Sequence, residues 1–144
     1  MKLGTEIDLL KNYPKTKRNL DERANTKTEE DREIARKFDK NFFDGDRRHG
    51  YGGFTYQSRF WKPCMPTFID YWNLNYNSTI LDVGCGKGFM LYDLSRAIPG
   101  IKVSGVDISE YAIQNSMLDI KQNLKVGNAK SLDYDDNSFD VVIS

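Results

Sequence analysis

The sequence predicts an α/β fold, a parallel sheet preceded by an α-helical N-terminal arm, and three observations carry that prediction. From Thr79 onward, short apolar runs alternate with helix-period runs at the spacing of βαβ units. A glycine turn, Gly84 to Gly88, directly follows the first of those runs. Charge is crowded into the first third: residues 1–50 hold 13 basic and 11 acidic groups, against 8 and 10 over residues 51–144. The first third therefore reads as a surface-heavy arm, and the remainder carries most of the core.

Within the arm, residues 11–21 (KNYPKTKRNLD) contain Pro14 and no periodicity, so a loop is expected. Thr28 to Phe43 reads as one helix. Thr28-x-x-Asp31 has the spacing of a capping box, with Asp in place of the preferred Glu. Ile34, Phe38 and Phe42 recur at i, i+4 and i+8 as one stripe, and Glu33 and Lys37 form an i,i+4 pair. An isolated helix of this length is marginal in water, so the stripe is expected to rest on another element. Residues 44–58 (DGDRRHGYGGFTYQS) hold four of the eleven glycines and three aromatics, the composition of a loop that bends sharply and exposes ring faces.

A further helix is expected to open at Pro63 and Pro66, where a missing N–H costs little. Met65, Phe68, Ile69 and Trp72 are its core stripe, and Asn73, Asn75 and Asn77 end it. Thr79–Val83 is then the first strand, and Phe89, Met90, Leu91, Leu94 and Ile98 mark a helix that Pro99-Gly100 stops. Lys102–Asp107 is the second strand, with Ser109 capping a helix to about Met117. Residues 124–127 form a weak third strand, residues 133–138 a polar turn, and Phe139–Ile143 the fourth strand. Right-handed crossovers place every strand's carboxyl end on one edge, where ligands of such folds bind.

Composition narrows the function. No apolar run nears the ~18 residues of a membrane span, and no secretion signal opens the chain. With 21 basic and 21 acidic groups the formal charge is zero, unlike the basic footprint of a nucleic-acid binder. Cys64 and Cys85 make neither a disulfide framework nor a zinc set. A reduced cytoplasmic protein with no metal, nucleic-acid or membrane partner is expected.

The chemistry lies in Asp82-Val83-Gly84-Cys85-Gly86-Lys87-Gly88 and in Asp107, which ends the next strand 23 residues beyond Gly84. Glycines let backbone approach a ligand, and the following helix offers N-terminal N–H groups. A carboxylate at the end of the second strand accepts from both hydroxyls of a ribose. Together they indicate an adenosine-containing cofactor. A dinucleotide fingerprint G-x-G-x-x-G would place its third glycine at position 89, which is Phe89.

The segment LDVGCGKGF, with VDIS at 106–109 and NSFDVVIS at 137–144, resembles the class I S-adenosylmethionine-dependent methyltransferases, closest to their small-molecule branch. The resemblance implies a Rossmann-like sheet, strands 1–4 of seven, with S-adenosyl-L-methionine as cofactor and a small-molecule methyl acceptor. It divides the chain into an arm with a glycine and aromatic lid loop (1–57) and the cofactor-binding unit (58–144). It implies that Gly84, Cys85, Gly86 and Gly88 pass the methionine portion and that Asp82 helps fix its amino group. Asp107 would bind the ribose, Ile108 pack on the adenine, and Asn128 and Ala129 sit at the adenine edge. Asn128 departs from the family's Asp, and Lys87 from its frequent Thr, a lysine free to point to solvent. Upstream, Tyr51, Phe54 and Tyr56 are lid candidates, with Gly52-Gly53 as the bend.

No catalytic residue follows from the sequence; Tyr51 and His49 are the candidates. His49, after Arg47-Arg48 in a polar loop, reads first as a solvated side chain, and Cys85 as a packing residue rather than a nucleophile. Two alternatives stay open: a non-catalytic or partner-dependent nucleotide-binding fragment, and a nicotinamide oxidoreductase. The family's sheet has a fifth strand beside the fourth. The chain is therefore expected to be the N-terminal part of a longer protein, or to need a partner chain, another copy included, over that edge.

Overall fold

The computed structural model describes residues 4–16 and 25–144. Four strands, β1 (Thr79–Val83), β2 (Lys102–Asp107), β3 (Leu124–Val126) and β4 (Val141–Ile143), form one sheet in the order β3-β2-β1-β4. Every pairing is parallel: Thr79 to Val83 lie opposite Lys102 to Val106, and Ile80 to Asp82 opposite Val141 to Ile143. β1 and β2 keep the expected bounds because their apolar residues are covered on both faces, as parallel strands require. Ile80, Leu81 and Val106 are almost wholly buried.

β4 is shorter than expected, starting at Val141 rather than Phe139. Asn137 turns the chain with φ 60°. Asp140 then pins the start of β4 to β1, its carboxylate accepting the Thr79 backbone N–H at 2.8 Å and the Thr79 hydroxyl at 3.0 Å. Those bonds hold the Asp140 carboxyl below its ordinary range.

In the arm, Thr28 and Asp31 form the expected capping box at the head of α1 (Glu29–Ala35). Glu29, rather than Glu33, pairs with Arg32 and Arg36 on this helix. The helix does not run on to Phe43. Phe38 adopts φ 49°, and α2 (Lys40–Asp44) starts afresh with Asp39 as N-cap, its side chain accepting the Asn41 N–H. The re-aimed chain buries Phe43 and leaves Phe38 39% exposed, so the expected stripe is not the buried face. The loop expected over residues 11–21 is outside the described residues from 17 onward; before that, Tyr13 meets the Trp61 ring edge-on at 4.9 Å.

The proline-rich helix begins earlier than its prolines, as α3 (Ser58–Trp61), a 3₁₀ turn (Lys62–Cys64) and α4 (Met65–Tyr71), with Pro63 and Pro66 in the first turns of the last two. Asn73 ends it at φ 51°. α5 (Phe89–Ala97) brings Leu91 and Leu94 into a core shared with Phe68, Ile80 and Val103. α6 (Glu110–Gln114) stops short of Met117, because the chain turns there to donate the Met117 N–H to the Lys87 carbonyl at 3.0 Å.

Chemical denaturation will separate core from cap. Leu94→Ala is expected to cost about 2–5 kcal/mol, as for a fully buried leucine, and Thr28→Ala about 1 kcal/mol through loss of the capping box.

Candidate functional site

β1 and β2 end side by side, and the chain leaves β1 through three glycines with left-handed backbone: Gly84 (φ 91°), Gly86 (φ 56°) and Gly88 (φ 79°). At Gly88 the conformation and the space both demand glycine, since a Cβ would lie 2.7 Å from Leu124 Cδ1 and 2.9 Å from Ile120 Cδ1. The turn is tied to β2. Gly84 and Cys85 both donate N–H to the Val106 carbonyl, and the Gly86 N–H donates to Asp107 Oδ2 at 2.7 Å. The other Asp107 oxygen accepts the Ser109 N–H at 2.8 Å, where Ser109 caps α6.

A cavity of about 520 Å³ opens on this edge. Its wall includes seven of the sequence-indicated cofactor residues: Gly84, Cys85, Gly86, Asp107, Ile108, Asn128 and Ala129. Gly88 and Asp82 are not on the wall; Gly88 seats α5 close to the sheet, and Asp82 lies buried within β1. Burial first, and then the Asp107 carboxylate, push the Asp82 carboxyl up to about 7. Burial likewise raises the Cys85 thiol, which suits packing rather than nucleophilic attack. Ile108 is exposed on the wall at 57%, an apolar side chain with nothing to cover it. The Asn128 amide oxygen accepts the Lys130 N–H at 2.9 Å, which uses one of its two lone pairs.

The arm closes over this edge. Phe43, Tyr51 and Phe54 line the cavity, with ring centroids 4.3 Å apart for Tyr51–Phe54 and 4.7 Å for Phe54–Phe89. Gly86 lies beneath the Phe54 and Phe43 rings, where a Cβ would touch Phe54 at 3.4 Å, an ordinary contact, so its left-handed φ of 56° is what favours glycine there. Tyr56 is not part of this cover; its hydroxyl donates to Asp93, and its ring packs edge-on against Phe89 and Tyr92. His49 is also absent from the wall. It is not a solvated side chain either, because its Nε2 sits 3.1 Å from Asp31 Oδ1 and the ring is largely buried.

What holds the cover down was missed in the sequence. Lys87, expected to point to solvent, is buried and donates to Asp44 Oδ2 at 2.6 Å and to the Phe54 carbonyl at 2.8 Å. Tyr111 of α6 donates to the same Asp44 oxygen, while Asp44 Oδ1 accepts the Phe54 N–H. Ser109 donates to the Phe38 carbonyl. Burial works to raise the Asp44 carboxyl, but the bonds from Lys87, Tyr111 and Phe54 outweigh it and hold it at about 2. The lysine between two turn glycines was the available sign, though nothing local names its partner 43 residues upstream.

A family model for a methyltransferase domain matches residues 74–144. A protein of Methanococcus maripaludis described as an S-adenosylmethionine-dependent methyltransferase superposes with TM-score 0.50 at 16% identity, over 57% of this chain and 40% of that one, and so shares the fold. The MccD protein matches at 29% identity and TM-score 0.48, over 54% of this chain and 37% of its own. A protein of Anabaena variabilis described as a methyltransferase from an antibiotic biosynthesis pathway matches at 28% identity and TM-score 0.46, over 54% and 31%. The chain thus spans between 31% and 40% of the length of these structures. No curated protein matches.

Two titrations follow from the shifted carboxyls. Asp44 is depressed from 3.8, so its stabilisation is present above about 4 and fades as pH falls towards 2. Amide exchange at Phe54 is expected to quicken over that window relative to core amides, and Asp44→Asn to show the same quickening at neutral pH. Asp82 is raised, so its contribution is intact below 3.8 and is lost as pH rises through about 7. Asp82→Asn is expected to flatten that decline in denaturation midpoint.

Proposed function

We propose that this chain, whose residues 74–144 match a methyltransferase-domain model, is a class I S-adenosylmethionine-dependent methyltransferase that moves the cofactor's methyl group in line onto a small-molecule acceptor. The observation that carries this is the Gly86–Asp107 clasp at the mouth of a nucleoside-sized cavity. One carboxylate there holds the glycine turn and keeps a second lone pair on each oxygen, the equipment for ribose hydroxyls. Gly84, Cys85 and Gly86 would carry the methionine portion along the turn. Ile108 offers an apolar face to the adenine, and Asn128 and Ala129 its edge. Asp82, behind the wall, would reach the amino group through water.

When bound, the cofactor supplies a methyl carbon made electrophilic by its sulfonium charge. The residues of the chain then need chiefly to orient the reactants and exclude water. Phe43, Tyr51 and Phe54 do the second, as they roof the cavity. An oxygen acceptor needs a base and an amine acceptor needs only to be unprotonated. Tyr51 is the candidate on the wall, whereas His49 is held by Asp31 away from it. A small acceptor is supported by the roof itself and by a chain with no net charge. No described helix is long and apolar enough to cross a membrane.

Calorimetry with S-adenosylmethionine tests the reading. One-to-one binding is expected, weakened about tenfold to a hundredfold in Asp107→Ala by loss of charge-assisted bonds to the ribose. Tight NADH binding with no response to the sulfonium cofactor would overturn it.

A further inference from the structure

A second cavity, of about 410 Å³, lies on the other side of the aromatic roof. The two cavities share four lining residues, Tyr51, Phe54, Trp61 and Phe89, all of them aromatic. Their charges are opposite. Among the described residues, Asp107 is the one charged side chain on the wall of the first, and Arg47 and Arg59 are the charged side chains of the second. No carboxylate lines that second cavity among the described residues.

Among the described residues neither guanidinium is paired with an acid. Arg47 spends one nitrogen on the Gly50 and Tyr51 carbonyls, at 3.0 and 2.7 Å, which fixes the loop and leaves its other donors. Arg59 donates from Nε to the Gln57 side chain at 2.9 Å and lies over the Phe60 ring at 4.3 Å, a contact that orients the planar fork. A fork held in place beside aromatic walls suits a ligand with a flat apolar body and a carboxylate or phosphate.

The backbone of the roof is pinned by the Phe54 N–H to Asp44 and by Lys87 to the Phe54 carbonyl. Joining the cavities therefore takes ring rotation at Tyr51 and Phe54 rather than a loop movement. From this charge division across a shared aromatic wall, we infer that the second cavity is the acceptor site and that it takes an aromatic acceptor bearing an anionic group, anchored by Arg59. This rests on the methyltransferase reading, which assigns the first cavity to a cationic cofactor.

Saturation-transfer NMR on the protein tests it with phenylacetate, phenyl phosphate and the neutral phenylacetamide, with S-adenosylmethionine affinity measured on the same samples. At least one anion is expected to bind about tenfold tighter than the amide, the scale of one charge-assisted bond; the preferred anion identifies carboxylate or phosphate as the group. Arg59→Gln is expected to erase that preference and Arg59→Lys to keep part of it, with cofactor affinity unchanged in both. The inference is overturned if the amide matches the anions, if nothing binds by about 10 mM, or if Arg59→Gln keeps the preference. Anion binding in a protein that ignores S-adenosylmethionine overturns the methyl-transfer reading instead, and with it the acceptor role.

Discussion

The carboxylate of Asp107 spans two loops at once, taking the Gly86 N–H on one oxygen and the Ser109 N–H on the other. Its position is set by the register of the sheet, which puts Val83 opposite Val106 and so starts the glycine turn where β2 ends. From that one point the turn, the start of α6 and the wall of the larger cavity all take their places. A buried or half-buried carboxylate is tolerable only where donors meet it, and here two backbone N–H groups do so before any ligand arrives. The preorganisation is of the kind that lets binding energy go to orientation rather than to ordering a loop.

The sheet was legible because its signal is the crudest one. An apolar run covered on both faces has to be a central strand, and Thr79–Val83 and Lys102–Asp107 emerge with the bounds expected. Where local chemistry competes with periodicity, the reading failed. Ile34, Phe38 and Phe42 fit a helical stripe, but Asp39 is a strong N-cap and restarts the helix, which leaves Phe43 as the buried ring. Phe139 extended an apolar run that Asp140 cuts short by bonding to Thr79. In the site, Gly84, Gly86 and Asp107 stand in one contiguous turn and at one strand end, so their spacing already placed them on one edge. Lys87 eluded it because the destination of a long flexible side chain is decided by a partner distant in sequence.

The N-terminal arm and the α/β unit meet through rings and through one buried cation. Phe43, Tyr51, Phe54 and Phe89 form a continuous stack of contacts from the arm to the first residue of α5. Ring contacts of this sort add modestly to the area they bury, and they are not directional enough to fix a loop. The hydrogen bonds around Asp44 supply the direction, since they take hold of both the N–H and, through Lys87, the carbonyl of Phe54.

That buried lysine has an electrostatic corollary. An ammonium inside the turn would fill the larger cavity with positive potential and repel a cationic ligand, were it not paired within 2.6 Å by a carboxylate from the arm. The arm is thus the counter-ion of the turn as well as its roof. A turn that kept Lys87 but lost Asp44 would hold an unpaired buried ammonium beside the cavity, so grafting this glycine loop onto another scaffold would require carrying the aspartate with it.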